Sequence, residues 1–155
     1  MKEINKALYV VLRDDSEAVV GLRTLLGNTT TAPYNVYYRN LPDNVDFKTT
    51  TNQSFITFFP VSLNYNHTFH DYDARGFVAL YQFTAWSRSY TKTYDIVNRI
   101  KWRLDGSRSI TSPLTDAVIH KILFENTGPE TFDNEFKVNM LVSHVRVWGR
   151  DDYVS

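Results

Sequence analysis

The sequence predicts an α+β protein: a mainly antiparallel sheet of four to five strands, with two or three helices packed on one face. Three observations support this fold class. Helical periodicity marks the start of the chain and one later segment, strand-like segments lie between and after these helices, and the connections between consecutive strands are short. We expect the 155 residues, with a mass of 18.1 kDa, to form one domain spanning 1–155.

The first segment has a stripe of apolar residues at helical spacing, formed by Ile4, Leu8, Val11 and Leu12. Asp14 and Glu17 follow at the spacing of a capping box, which predicts the start of a second short helix. Gly27 and Asn28 are typical of a helix end, so this helix should stop there. The N-terminus should therefore be a helical hairpin or a kinked helix.

The sequence changes from helical to strand-like at residue 34. Three segments rich in aromatic and β-branched residues predict strands: "YNVYYRNLP", "QSFITFFPVSLNY" and "GFVALYQFTAWS". The next segment, "TKTYDIVNRIKWRLDG", has apolar residues on one helical face and predicts a helix that ends at Gly106. That face consists of Tyr94, Val97, Ile100 and Leu104.

Two further strands are predicted after this helix. The first is "AVIHKILFEN", which should be followed by a turn at Gly128-Pro129. The second is a long strand from Glu135 to Trp148. In its first half the buried face is predicted to be Phe136, Val138, Met140 and Val142, alternating with wetter positions.

Charge and composition argue against several classes of function. The chain has 17 basic and 17 acidic residues, so no overall positive field attracts nucleic acid or a membrane surface. Cysteine is absent, which excludes disulfides and thiolate chemistry. No apolar run reaches the ~20 residues of a membrane span, and we expect a soluble protein made inside a cell. Aromatic residues reach 15%, which favours strands and surfaces buried against partners.

The stretch "NYNHTFHDYDARG", residues 64–76, is the best candidate for a metal site because it places His67, His70 and Asp73 close together. On a strand, however, two histidines three positions apart point to opposite faces, and the segment is poor helix material. We therefore interpret it as a polar loop between two strands. Two other histidines lie within predicted strands and are interpreted as structural: His120 and His144.

Basic and aromatic residues alternate around the second long helix, a pattern that could also indicate a nucleic-acid surface. They are Arg88, Lys92, Arg99, Lys101, Arg103 and Arg108, with Tyr90, Tyr94 and Trp102. Asp95 and Asp105 dilute the positive field, so a solvated helix face is the favoured interpretation.

The order of elements resembles the tail-completion family of long-tailed bacteriophages, also described as tail-terminator or head-to-tail joining proteins. An initial helix of the "ALYALL" type is matched by "ALYVVL", and a proline after the first strand is matched by Pro42. A strand ending in W-S-R is matched at Trp86, Ser87 and Arg88, and the helix after it by Ile96, Ile100 and Leu104. The chain departs from the family in having "SYTKT" after W-S-R and a long aromatic loop from Leu63 to Arg75.

The resemblance implies a structural, non-enzymatic virion protein without cofactor, metal or catalytic residues. It implies a ring, commonly of about six copies, on the head-proximal end of the tail tube. Its partners would be other copies of the chain, the tail tube protein and the head connector or closure protein. DNA would only pass through the channel, no membrane would be involved, and assembly would take place in the host cytoplasm.

On this hypothesis the aromatic loop orders on assembly and contacts a neighbouring subunit or the tail. The expected contact residues are Tyr65, His67, Phe69, His70 and Tyr72. Three other functions remain open at this point. They are a head-closure or other neck-region protein, a small nucleic-acid or ligand-binding module that uses aromatic stacking, and a metal-dependent hydrolase built on His67, His70 and Asp73.

Overall fold

The computed structural model describes residues 2–45, 47, 53–66, 74–106 and 117–152. Its helices and strands follow the predicted order of helices, three strands, helix and two strands. They are α1 (Lys2–Arg13), α2 (Leu22–Leu26), β1 (Val36–Tyr38), β2 (Phe55–Asn66), β3 (Ala74–Ser87), α3 (Tyr90–Leu104), β4 (Ala117–Asp133) and β5 (Val138–Asp152).

The described strands form one five-stranded sheet in the order β1-β2-β3-β5-β4. β1 runs parallel to β2, and all other neighbours are antiparallel. One hydrophobic cluster contains the buried residues of all three helices and alternate residues of β3, from Phe77 to Ala85. The helices therefore cover one face of a mostly antiparallel sheet, and the prediction of an α+β fold is confirmed.

Apolar stripes account for the two longer helices. In α1, Ile4, Leu8 and Leu12 are fully buried, as predicted. In α3, Val97, Ile100 and Leu104 are buried as predicted, whereas Tyr94 is 38% exposed and Ile96 is buried in its place. Ser89 caps α3 by accepting a hydrogen bond from the backbone N–H of Lys92 at 3.4 Å.

The predicted turn at Gly128-Pro129 is wrong, since β4 continues through these residues to Asp133. A shift in the pairing register with β5 between Thr127 and Glu130 accommodates them. β4 is an edge strand of the sheet, where the missing N–H of a proline is tolerated. The chain turns at residues 134–137 instead, and the Asp133 carboxylate accepts backbone hydrogen bonds there at 2.9 and 3.0 Å.

Of the predicted buried face of β5, Val138 is fully buried, on the outer face of the sheet, whereas the other three residues are not. The structure buries the opposite set against the helices: Leu141, Ser143, Val145 and Val147. Phe136 lies in the turn and is 47% exposed, and Met140 and Val142 are half-buried on the outer face. Apolar residues occur on both faces at the start of β5, so alternation alone did not identify the side that α3 covers.

A second, smaller cluster lies on the sheet face away from the helices, at the end where β2 begins and β3 ends. Its buried members are Phe47, Phe55 and Val138, and further residues pack around them: Tyr37, Leu41, Val45 and Trp86. Phe47 and Phe55 meet edge to face, with ring centroids 5.4 Å apart. The loop from residue 39 to residue 47 thus covers one end of the outer face.

Candidate assembly surface

The structure describes one of the five residues predicted to contact a partner. Tyr65 lies in β2, not in a loop, and is half-buried against the core with its ring centroid 6.4 Å from that of Phe77. β2 extends to Asn66 and β3 starts at Ala74, so the expected loop from Leu63 to Arg75 is shorter than predicted. The other four residues lie outside the described part of the chain: His67, Phe69, His70 and Tyr72.

A salt-bridge network holds the segment between α1 and α2 against α3. The Arg99 guanidinium donates two hydrogen bonds of 2.7 Å to the Asp15 carboxylate, and a third of 2.8 Å to Glu17 Oε2. Asp15 Oδ2 also accepts the backbone N–H of Leu22, the first residue of α2, at 2.9 Å. The side chains of Asp15 and Arg99 are only 3% and 10% exposed, so the pair is largely shielded from solvent.

The two buried charges shift each other's pKa. Burial by itself would raise the pKa of Asp15, but hydrogen bonds from Arg99 and the Leu22 amide outweigh burial and lower it. Hydrogen bonding to the Asp15 carboxylate in turn raises the pKa of Arg99. Both groups therefore stay charged throughout the neutral pH range, and the segment remains fixed.

This network differs from the predicted capping box. Asp14 and Glu17 do not cap α2, because the helix begins only at Leu22 and its N-terminal N–H is bound by Asp15. Asp14 instead pairs with Arg13 at the end of α1, at 2.9 Å. Asp15 was not singled out from the sequence because its partner lies 84 residues away.

The fixed segment displays an exposed apolar surface. Val19 is 78% exposed and Val20 is 44% exposed, and next to them Trp102 of α3 is 65% exposed. The Arg99 guanidinium stacks 4.0 Å from the centroid of the Trp102 ring. We call these three exposed residues, Val19, Val20 and Trp102, the valine–tryptophan patch.

A shallow depression of about 530 Å³ lies within this patch, lined also by Leu25, Asp95 and Asn98. Thr24 holds the neighbouring backbone by donating to the carbonyl oxygens of Glu17 and Ala18, each at 3.2 Å. Tryptophan and arginine, which stack side by side here, are two of the residue types enriched in protein–protein hot spots. The sequence indicated neither its location nor its exposure.

Three of the basic residues around α3 are used in contacts within the protein. Arg99 binds Asp15, Arg103 donates to the carbonyl oxygen of Val11 at 3.0 Å, and Lys101 lies 5.6 Å from the centroid of the Phe124 ring. These side chains take part in packing within the protein, and Arg99, at 10% exposure, is not on the solvated helix face that the sequence predicted.

The outer face of the sheet carries polar contacts between β4 and β5. His144 Nδ1 lies 2.8 Å from Asn126 Oδ1, consistent with its predicted structural role, and Arg146 pairs with Glu125. His120 is exposed, at a register shift in β4. Within the described ranges, no cluster of three or more histidine or acidic residues could hold a metal ion, and the predicted alternative of His67, His70 and Asp73 lies outside them.

Comparison with solved structures shows that the fold is shared. A chain of the structure described as "Virion of native gene transfer agent (GTA) particle" superposes with a TM-score of 0.68 at 13% identity. The match covers 95% of this chain and 94% of that chain. This chain has the same fold.

The other comparisons give no match. No protein-family model matches the sequence, and the comparison with curated proteins finds none that is similar. Among the described helices, none is long and apolar enough to cross a membrane.

Proposed function

We propose that this chain is a structural virion protein that forms a ring on the head-proximal end of a phage tail tube. The observation that carries the proposal is the fold shared, over nearly the full length of both chains, with a chain from a virion particle. The order of sequence motifs adds support, because the W-S-R residues, Trp86 to Arg88, end β3 directly before α3. Residues 1–155 would form one tail-completion-like domain.

In this role the protein works by geometry and not by catalysis. The ring would end the growth of the tail tube with one face and bind the head connector or closure protein with the other. A ring requires head-to-tail contacts between copies, in which two different surfaces of the protomer meet. We propose a ring of about six copies, located in the virion at the head–tail interface after assembly in the host cytoplasm.

The valine–tryptophan patch is suited to one side of such a contact. Its apolar side chains are already exposed, and the network of Asp15, Arg99 and Glu17 holds them in place before binding. Preorganisation reduces the entropy lost on association, so more of the contact energy remains as affinity. The zero net charge also limits adhesion to DNA passing through the ring.

The solution mass of the purified chain tests the proposal. We expect light scattering over a wide concentration range to reveal a closed species of about six copies, visible as rings by electron microscopy. A chain that stays monomeric and also fails to bind the ends of tail tubes would contradict the proposal. Binding only to the connector, with tube length unaffected, would instead indicate a head-closure or other neck-region protein.

A further inference from the structure

The loop of residues 39–47 borders a pocket of about 340 Å³ on the outer face of the sheet, at the end where β2 begins and β3 ends. Its apolar walls are Leu41, Pro42, Val45, Phe47, Trp86 and Phe136. An apolar cavity of about 150 Å³ can bind benzene, so this pocket has room for a side chain with two fused rings. We call this cavity the loop pocket.

The polar residues that line the loop pocket lie mostly at its rim. Thr57 is buried and accepts a hydrogen bond of 2.9 Å from the Trp86 indole. Arg39, Asn40 and Asp43 are exposed and give the rim a cation, an amide and a carboxylate. A suitable occupant therefore combines an apolar body, which fills the interior, with a polar group that reaches the rim. Tryptophan has this combination.

Trp102 is such a side chain, and it lies on the other side of the molecule. It is 65% exposed, on a helix that packs against the sheet face opposite the loop pocket. The sheet separates Trp102 from the loop pocket of its own molecule, so only another copy can receive it there. The indole N–H can only donate a hydrogen bond. At the rim, the charged carboxylate of Asp43 is the acceptor that would bind it most strongly.

The charges beside the two surfaces are also complementary. Arg99, which stacks on Trp102, is paired within its own molecule with Asp15 and Glu17. Asp95 is exposed and lines the depression in the valine–tryptophan patch, so it gives the patch an acidic edge. The loop pocket carries the opposite charge at Arg39. Opposite charges that meet across an interface fix its register and disfavour wrong partners.

We propose that Trp102 of one copy inserts into the loop pocket of the next copy, with its indole N–H donating to Asp43 and with Asp95 facing Arg39. This inference rests on the proposed ring and names the two surfaces that build it. An apolar anchor and a pocket elsewhere on the same molecule make a head-to-tail contact. Such a contact propagates from copy to copy and closes when the rotation between copies allows it.

Two variants, each defective in one surface, test this pairing. Trp102→Ala removes the anchor and keeps the pocket, whereas Val45→Trp fills the pocket and keeps the anchor. In sedimentation experiments, each variant alone should show self-association about thirtyfold weaker than that of the wild type. An equimolar mixture should form a dimer with the wild-type contact affinity and nothing larger, because one intact anchor meets one intact pocket.

Circular dichroism checks that the variants are folded, since Val45 is half-buried. If Val45→Trp does not fold, Asn40→Trp fills the pocket from an exposed position on its rim.

Asp43→Leu tests the hydrogen bond at the rim. It leaves the indole N–H unpaired and should weaken self-association about tenfold. The matched control is Asn44→Leu, at an exposed neighbour that does not line the pocket, and it should leave the affinity unchanged. Equal effects of the two variants would exclude Asp43 as the acceptor and overturn the proposed orientation.

Three results separate this inference from the proposed function. A mixture that stays monomeric, while the wild type forms its ring, would overturn the inference and leave the ring intact. A pocket-filled variant that still forms a ring of wild-type mass would also overturn it and assign the pocket to another occupant, such as the tube protein or a small molecule. A wild type that forms no ring and does not bind tail tubes would contradict the proposed function itself. A wild type that assembles only on tube ends would overturn the inference alone, since an anchored contact of this kind holds two copies together in solution.

Discussion

Removal of the Arg99 side chain is the most informative perturbation of this fold. Arg99→Met keeps most of the aliphatic volume but leaves the Asp15 carboxylate, which is 3% exposed, without its cation. Two hydrogen bonds of 2.7 Å and the stacking on Trp102 are lost at once. The Leu22 N–H becomes the one hydrogen-bond donor to Asp15 that remains among its described contacts.

The expected loss of stability is large because a buried charge is left unpaired. Breaking a buried ion pair from one side costs about 3–5 kcal/mol, a major fraction of the roughly 5–15 kcal/mol that stabilises a domain. Glu17 is the second acidic partner of Arg99, and its side chain is 56% exposed. Glu17→Gln removes the charge of this exposed partner. It should cost less than about 1 kcal/mol. The double variant Asp15→Asn with Arg99→Met should recover part of the loss, because no charge remains buried.

Urea denaturation followed by circular dichroism measures these free energies of unfolding. The pKa of Asp15 is lowered in the folded protein, so its contribution is present above the ordinary value of about 3.9. It is lost as the pH falls through the folded pKa. In Arg99→Met, burial without the cation should raise the pKa of Asp15, so protonation stabilises the variant. The difference between the two proteins should therefore shrink as the pH falls from 7 towards 3.

Two results would refute this reasoning. A loss of less than about 1 kcal/mol at pH 7 would show that Asp15 finds enough solvent or other donors without Arg99. A difference that stays constant or grows in acid would show that the charge of Asp15 is not the source of the effect. Arg99→Lys serves as a control for charge without the two-pronged geometry, and it should lie between wild type and Arg99→Met.

Three further predictions concern assembly and packing. Trp102→Ala should weaken ring formation by about 2 kcal/mol per contact, or roughly thirtyfold in the dissociation constant measured by sedimentation. The control variant Val61→Ala, on an exposed part of β2, should leave the dissociation constant unchanged. Equal effects of the two variants would exclude a specific role of the valine–tryptophan patch. Phe69→Ala combined with Tyr72→Ala should leave the thermal midpoint of the monomer unchanged and weaken the ring, and unfolding of the monomer would show that these side chains belong to the core. Gly149→Ala should destabilise the protein by about 1–3 kcal/mol in denaturant titrations, because the new methyl group would lie 2.4 Å from the Val118 carbonyl oxygen of β4. A variant as stable as the wild type would mean that β4 and β5 move apart at little cost.

The helices and strands whose predictions are confirmed are those with a strong local sequence pattern. The apolar stripe of α1 predicted its buried residues Ile4, Leu8 and Leu12, and the aromatic and β-branched segments predicted β2 and β3. In these segments the chain's own periodicity matches the periodicity of the element. Gly27, in the left-handed conformation at φ 74°, ends α2 where expected.

The errors occur where local patterns conflict with the tertiary environment. Gly128-Pro129 is a turn signal, but long pairing with β5 extends β4 past it. The start of β5 is apolar on both faces, so the position of α3 and of the loop of residues 39–47 decides which side is buried. Asp14 fits a capping box on the sequence, yet Asp15 turns inward because Arg99 offers it a buried partner.

The sequence by itself determined the fold class, the order of the elements and the absence of thiol chemistry, because these follow from composition and short-range periodicity. It also supplied the aromatic residues Phe69 and Tyr72 as contact candidates, which remain a prediction. Only the tertiary structure decided that Val19, Val20 and Trp102 form one exposed patch and that Asp15 and Arg99 form a buried ion pair. Surfaces of this kind join residues far apart in the chain, and the packing of helices on the sheet sets their distances and exposure.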